Sequence, residues 1–196
     1  MLKGWTQQAT GSKQRTFAGL LRLLASVVTL SCVSVPVAGA ADLLLIRGEG
    51  DDVGIIGAAV RTREWKSWPP TARWRYSVSG EWQLARWHAQ QADAKVSSIV
   101  DGSLTSVLTL RPLVPLLSNS YVEVGLGIHL ISHQSINQDR GFGTSFQFGE
   151  FLGLGTHLGA RDQYSIGLRI QHVSNGRIKE PNDGVTFAQA VVRYNF

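Results

Sequence analysis

The sequence predicts an all-β protein, an eight-stranded antiparallel barrel, and three observations carry that expectation. From Ala41 onward no window spaces its apolar residues at helical intervals, whereas alternation with period two recurs along the chain. The alternating segments are separated by turn residues and fall near 42–48, 53–62, 76–88, 102–112, 120–132, 143–158, 163–175 and 184–196. Their number is even and large enough to close a small barrel.

In chain order the first element is a leader. Residues 1–40 carry Lys3, Lys13, Arg15 and Arg22 and no acid; the apolar run Leu23 to Leu30 follows, then Pro36 and the small-residue ending Ala38-Gly39-Ala40. This is the layout of a secretory signal peptide over 1–40, with cleavage expected after Ala40, and the run is too short for a spanning helix of about 20 apolar residues. The chain holds 19 Lys+Arg against 14 Asp+Glu. Without the four bases of the leader, fifteen remain against fourteen acids, so residues 41–196 are nearly neutral and no nucleic-acid partner is expected. Cys32 and Met1 also fall in the leader, which leaves the barrel no disulfide, thiol nucleophile or thiolate metal site.

The first and second segments flank the short connection 49–52. Trp65, Trp68, Trp74, Trp82 and Trp87 crowd into the second connection and third segment, where interfacial anchoring and ordinary packing are both open. In the fourth, Leu104, Leu108 and Leu110 oppose Ser103, Thr105, Thr109 and Arg111. In the fifth, Val122, Val124, Leu126, Ile128 and Leu130 oppose Tyr121, Glu123, Gly125, Gly127 and His129. In the sixth, Glu150 interrupts the apolar row Phe146, Phe148, Leu152, Leu154. A lone carboxylate facing lipid is costly, so a bulge at Gly149 that turns Glu150 into the lumen is expected at least as strongly as a catalytic role. In the seventh, Tyr164, Ile166, Leu168 and Ile170 oppose Gln163, Ser165, Gly167, Arg169 and Gln171. In the eighth, counting by twos back from Phe196 puts Thr186 on the lipid-facing side near the outer end.

Periodicity alone does not say which face points inward, and a soluble lipocalin-like carrier with an apolar interior would share it. The polar face holds charged and bulky polar groups beside many glycines, as a narrow lumen filled by hydrogen-bonded and ion-paired side chains requires. The ending Val192-Arg193-Tyr194-Asn195-Phe196 resembles that of bacterial outer-membrane barrels. A tilted membrane strand takes about 9 to 11 residues, which most segments supply, and closure removes the edges that hydrocarbon cannot satisfy. The expected fold is therefore a transmembrane β-barrel of the bacterial outer membrane. With both termini in the periplasm, connections 63–75, 113–119 and 159–162 are periplasmic and 49–52, 89–101, 133–142 and 176–183 lie outside. The seventh strand then ends beside lipopolysaccharide.

The apolar stripe of that strand runs straight into His172 and Ser174. Residues i and i+2 of a strand share a face about 6.6 Å apart, so an imidazole can lean toward a hydroxyl two positions away, as a general base does toward a serine nucleophile. Polar residues are also normal where a stripe reaches the headgroup layer. The stretch Gln171-His172-Val173-Ser174-Asn175-Gly176-Arg177-Ile178-Lys179-Glu180-Pro181-Asn182-Asp183-Gly184-Val185 decides between the two. It resembles the signature of the PagL-type outer-membrane lipid A 3-O-deacylases, His-x-Ser-Asn followed by a Lys-x-Pro-Asn-Asp-Gly turn. Gly143-Thr144-Ser145-Phe146-Gln147-Phe148-Gly149 is similar to the family's sixth strand.

The resemblance implies an eight-stranded barrel that hydrolyses the ester at position 3 of lipid A, releases a 3-hydroxyacyl chain, and keeps its site on the outside wall toward the outer leaflet. It makes Ser174 the nucleophile, His172 the base and Asn175 a group that stabilises the oxyanion, where preorganised donors are needed. The family's acid, a Glu that orients the imidazole, falls at Thr186. Either His172 and Ser174 work as a dyad with Thr186 accepting a hydrogen bond, or Glu180, Asp183 or Glu150 substitutes, or activity is reduced. The dyad ranks first; Glu180 and Asp183 in the external loop are expected to be solvated charges. Arg177 and Lys179 of that loop are candidates for lipid A phosphates.

His129 is expected as a hydrogen-bonded lumen filler, and His88, His133 and His157 have no metal-ligand spacing. No cofactor or metal is expected, and a homodimer stays open. The alternative to the esterase is a non-enzymatic outer-membrane barrel with a structural or adhesion role, because fold alone does not set function.

Overall fold

The computed structural model of the protein describes residues 40–92 and 94–196. The leader expected over 1–40 lies outside these residues apart from Ala40. Eight long strands make up the chain: β1 Ala40–Gly50, β2 Val53–Thr62, β3 Trp74–Ala89, β4 Ser98–Pro112, β5 Ser120–Ile131, β6 Phe146–Leu158, β7 Tyr164–Ser174 and β8 Val185–Asn195. Each pairs antiparallel with the next, and β8 pairs with β1, so the sheet closes and no long strand keeps a free edge. The expected segments and the strands agree closely. The largest differences are β4, which begins at Ser98 because residues 98–101, expected in the connection, are paired with β3, and β6, which begins only after Gly143 (φ +66).

Following one row of cross-strand partners fixes the slant of the strands. The row that leaves β1 at Asp42 passes Arg61, Glu81, Thr105, Gly127, Gly149 and Val173 and arrives at Val185, the start of β8. Rows thus climb steadily, in the order β1 to β8, from the end that carries the chain termini to the end that carries the long connections 90–97, 132–145 and 175–184. These are called the terminal end and the loop end below.

The lumen is layered, as β7 illustrates. Its inward side chains run from Ser165 through Arg169 and Gln171 to Val173. Toward the terminal end, Glu81 accepts from Arg61 (Nη2 to Oε2, 2.5 Å) and Arg169 (Nη1 to Oε1, 2.8 Å), and Glu123 accepts from Arg61 (2.5 Å) and Arg193 (2.7 Å). All five are buried, so each charge depends on its partners for the solvation it has lost. Next comes a polar chain: Asp101 accepts from His129 Nδ1 at 3.0 Å, and Gln189 Nε2 donates to Gln171 Oε1 at 2.8 Å. His129 is the hydrogen-bonded filler expected of it. The loop end is closed by an apolar plug of Val53, Ile55, Trp87, Ile99, Ile131, Phe142, Val173, Val185 and Phe187.

A polar lumen and an apolar exterior exclude the lipocalin-like alternative. Leu126 (66% exposed), Leu130, Leu152, Leu154, Ile166 and Ile170 (61%) point outward, where only lipid can cover them. Of the tryptophans, Trp65, Trp68, Trp74 and Trp82 are exposed as interfacial anchors would be. Trp87 is not: it is fully buried in the plug, edge-on to Phe142 and Phe187, because an odd position on β3 faces the lumen. The expected bulge at Gly149 is also absent. The β6–β7 register runs unbroken from Leu158 to Phe148, so Glu150 keeps the outward direction of its row and is exposed.

Candidate active site

The last turn of β7's alternation puts Val173 into the plug and His172 and Ser174 on the outer wall, both half-buried. Two strand neighbours flank His172 on that wall, Thr186 on β8 and Glu150 on β6. His172 Nδ1 lies 2.9 Å from Thr186 Oγ1. The imidazole therefore uses the nitrogen nearer its own backbone on β8 and turns its other edge toward Gly184, where a Cβ would come within 3.0 Å of Cε1 and 3.3 Å of Nε2. Gly184 follows Thr186 and Val185 back along the chain and so stands level with Ser174. Its φ of +62 and the adjacent ring both require glycine there. Nε2 is left facing the end of the wall where the hydroxyl stands.

Thr186 is itself held from an unexpected quarter. Its backbone N–H donates to Asp51 Oδ2 at 2.7 Å, from the β1–β2 turn where Asp51 and Asp52 both have positive φ. The sequence marks that turn, since adjacent Asp residues suit such a hairpin, but gives no sign that its carboxylate reaches β8.

The loop 175–184 is built by its own polar side chains. Asn175 is fully buried, and its amide donates to the carbonyls of Phe142 and Lys179, both at 2.6 Å, while its backbone N–H donates to Asn182 Oδ1 at 2.8 Å. Every donor of Asn175 is committed, to its own loop and to the 132–145 connection, and its side chain is buried. Asp183 is exposed, as expected of a solvated loop charge, and it also staples two loops: its Oδ2 accepts from the Gly141 N–H at 2.7 Å, and its own N–H returns to the Gly141 carbonyl. Glu180, Arg177 and Lys179 are exposed on the loop, away from the imidazole's bonded edge.

An imidazole oriented through Nδ1 beside a serine, on the outside of a lipid-facing barrel, is a hydrolytic arrangement for a substrate that lies in the membrane. A family profile described as lipid A 3-O-deacylase (PagL) matches residues 54–195. The chain belongs to this family. It is an outer-membrane enzyme of the PagL type, as its closed barrel and its signature loop require. Lipid A deacylase PagL of Bordetella bronchiseptica is 42% identical over 76 residues, 39% of this chain and 41% of that protein. The Pseudomonas aeruginosa protein of the same name is 28% identical over 168 residues, 83% of this chain and 90% of that one. In fold, the chain is similar to the crystal structure of the outer membrane enzyme PagL (TM-score 0.67, 20% identity, covering 80% of this chain and all of that one). It is also similar to the N-terminal β-barrel domain of Pseudomonas aeruginosa OprF (TM-score 0.52, 12% identity, covering 81% and 98%).

Proposed function

We propose that the protein is a serine esterase that cleaves the 3-O-linked acyl ester of lipid A and releases a 3-hydroxy fatty acid. The observation that carries this reading is the pair His172 and Ser174 on the lipid-facing wall, with Nδ1 of His172 lying 2.9 Å from Thr186 Oγ1 and Nε2 without a partner among the described residues. Ser174 Oγ attacks the ester carbonyl as His172 Nε2 takes its proton. Collapse of the tetrahedral intermediate breaks the bond to the sugar's 3-oxygen, which leaves with that proton as a hydroxyl. Water, deprotonated by the same nitrogen, then frees the acid from Ser174.

Asn175 acts through the loop it locks. The donors left for the oxyanion are the N–H groups of Gly176 and Arg177, which follow directly and have no partner among the described residues. Arg177 and Lys179 are suited to phosphate at the loop.

The absent acid sets the level of activity. A carboxylate only accepts and so enforces the Nδ1–H tautomer, whereas the hydroxyl of Thr186 both donates and accepts and allows either tautomer. The test is a mass spectrum of lipid A from cells making the wild type, Ser174→Ala or His172→Ala. Loss of one 3-hydroxyacyl mass in the wild type alone is expected. Identical spectra would turn the reading to a non-enzymatic barrel, and a surviving loss in either variant would remove that residue's role.

A further inference from the structure

Among the described residues, the charged side chains on the outward face of the eight strands are Arg47 and Glu49 on β1, Arg86 on β3 and Glu150 on β6. Arg47 stands opposite Ala190 on one side and Ile56 on the other, and Ile56 in turn stands opposite Arg86. One row of the wall therefore carries two cations separated by a single apolar side chain.

The slant of the rows brings this pair level with the catalytic residues. Arg47 is four positions short of Asp51, whose strand lies two beyond β7, so it gives up about 10 Å along a tilted strand and regains about 7 Å by the climb of its row. Arg86, two strands further round, regains about 7 Å more, which leaves the two guanidinium stems within about 4 Å of the height of His172. On the opposite wall the same height is occupied by Gly102 and Leu104 of β4 and Ile128 of β5. A belt of headgroup contacts would ring the barrel; this charge is confined to the arc that holds the site.

We propose that Arg47, assisted by Arg86, is a phosphate-binding subsite for the lipid A headgroup, reached sideways across β8 from Ser174. The inference rests on the deacylase reading. Among the described residues Arg47 makes no ion pair or hydrogen bond, and Arg86 has one bond, Nη2 to Ser98 Oγ at 3.3 Å, so the donor forks are open. Between Arg47 and His172 the wall offers the short side chains of Ala188 and Ala190, over which a sugar and an arginine can both lie. The Cα of Arg47 is about 16 Å from that of His172 along the wall, and an extended arginine covers about 6 Å of it, which suits a disaccharide with phosphates at its two ends. Glu49, next outward on β1, repels phosphate from higher on the wall and confines the subsite to the Arg47 and Arg86 row.

The test uses purified enzyme in excess detergent, so that each substrate molecule is isolated from other lipid. Bisphosphorylated lipid A and the same lipid A with both phosphates removed are compared for the wild type, Arg47→Gln and Arg47→Lys, with heat-modified gel mobility as the check of folding. Expected is a KM about tenfold higher for Arg47→Gln on the phosphorylated substrate at similar kcat, partial recovery with Arg47→Lys, and no change on the dephosphorylated one. An equal loss on both substrates, or a loss seen only in lipopolysaccharide bilayers where neighbouring lipids supply the phosphate, overturns the subsite. No turnover of either substrate by the wild type overturns the deacylase reading instead, and the subsite with it.

Discussion

Thr186 Oγ1 stands 2.9 Å from His172 Nδ1, at the position from which a carboxylate would orient the imidazole. A hydroxyl carries no charge to offer the ring, and the effect of that is measurable. Hydrogen bonds to a charged partner exceed neutral ones by about 1 to 1.5 kcal/mol, which corresponds to about tenfold in rate when the bond strengthens toward an imidazolium. Thr186→Glu is therefore expected to raise kcat about tenfold in detergent assays of lipid A deacylation, and Thr186→Val to lower it severalfold. A neutral result for both would show that the bond does not tune the base.

Glu150 flanks His172 from the other side, directly across the β6–β7 ladder on the same outward face, with no ion pair among the described residues. Opposed side chains of a ladder start from Cβ atoms about 5 Å apart, so the carboxylate is within reach of the ring as it charges. Glu150→Gln is expected to lower kcat about tenfold with little effect on KM. Combined with Thr186→Glu the loss should shrink, since one carboxylate suffices for one imidazolium; additive effects in the double variant would separate Glu150 from the base.

Gly184 tests the geometry from below the ring. A methyl there meets Cε1 at 3.0 Å in a backbone of φ +62. Gly184→Ala should push the imidazole off Thr186 and cut kcat by about a hundredfold while the barrel still forms, because the position is outside the ladder of β8. Full activity would mean the ring has room to spare.

The parts of this molecule legible in sequence are those where one local rule decides. Alternation with period two gave the eight strands within a few residues, since a slip of one would turn Leu126 or Ile170 into the lumen. It also put His172, Ser174 and Thr186 on one wall. For Glu150 the sequence leaves a lumen-facing bulge and a wall position both open, because a lone carboxylate against lipid is expensive. Glu150 stands directly opposite His172, and that register depends on the pairing of the strands around the whole barrel. The partners of Asn175 and Asp183 are illegible for a related reason: Phe142, Lys179 and Gly141 are brought by a different loop or a folded-back turn, and no pattern of spacing encodes that contact. Asp51 escaped notice because a hairpin aspartate reads as a turn former and nothing more.

The ion cluster at the terminal end supplies a prediction about stability that leaves catalysis alone. Glu123 is buried and accepts from Arg61 and Arg193 while Arg169 stands 3.9 Å away. Arg61 and Arg169 retain Glu81, but Arg193 would retain only the longer contact to Asp42 at 3.9 Å. Removing one partner from a buried pair costs about 3 to 5 kcal/mol, because the remaining charge has neither water nor a counter-ion. Glu123→Gln keeps the shape and removes the charge, so the melting temperature in detergent should fall by about 10 °C or more at this chain length. The apolar plug of Trp87, Phe142, Phe187 and Val173 backs His172 at the loop end through Val173, and Glu123 is not among its members. Deacylation measured well below the new melting temperature should therefore match the wild type. A variant that melts normally would mean that water enters the terminal mouth and solvates the arginines; one that is folded but inactive would mean that the lumen charges couple to the site through the strands.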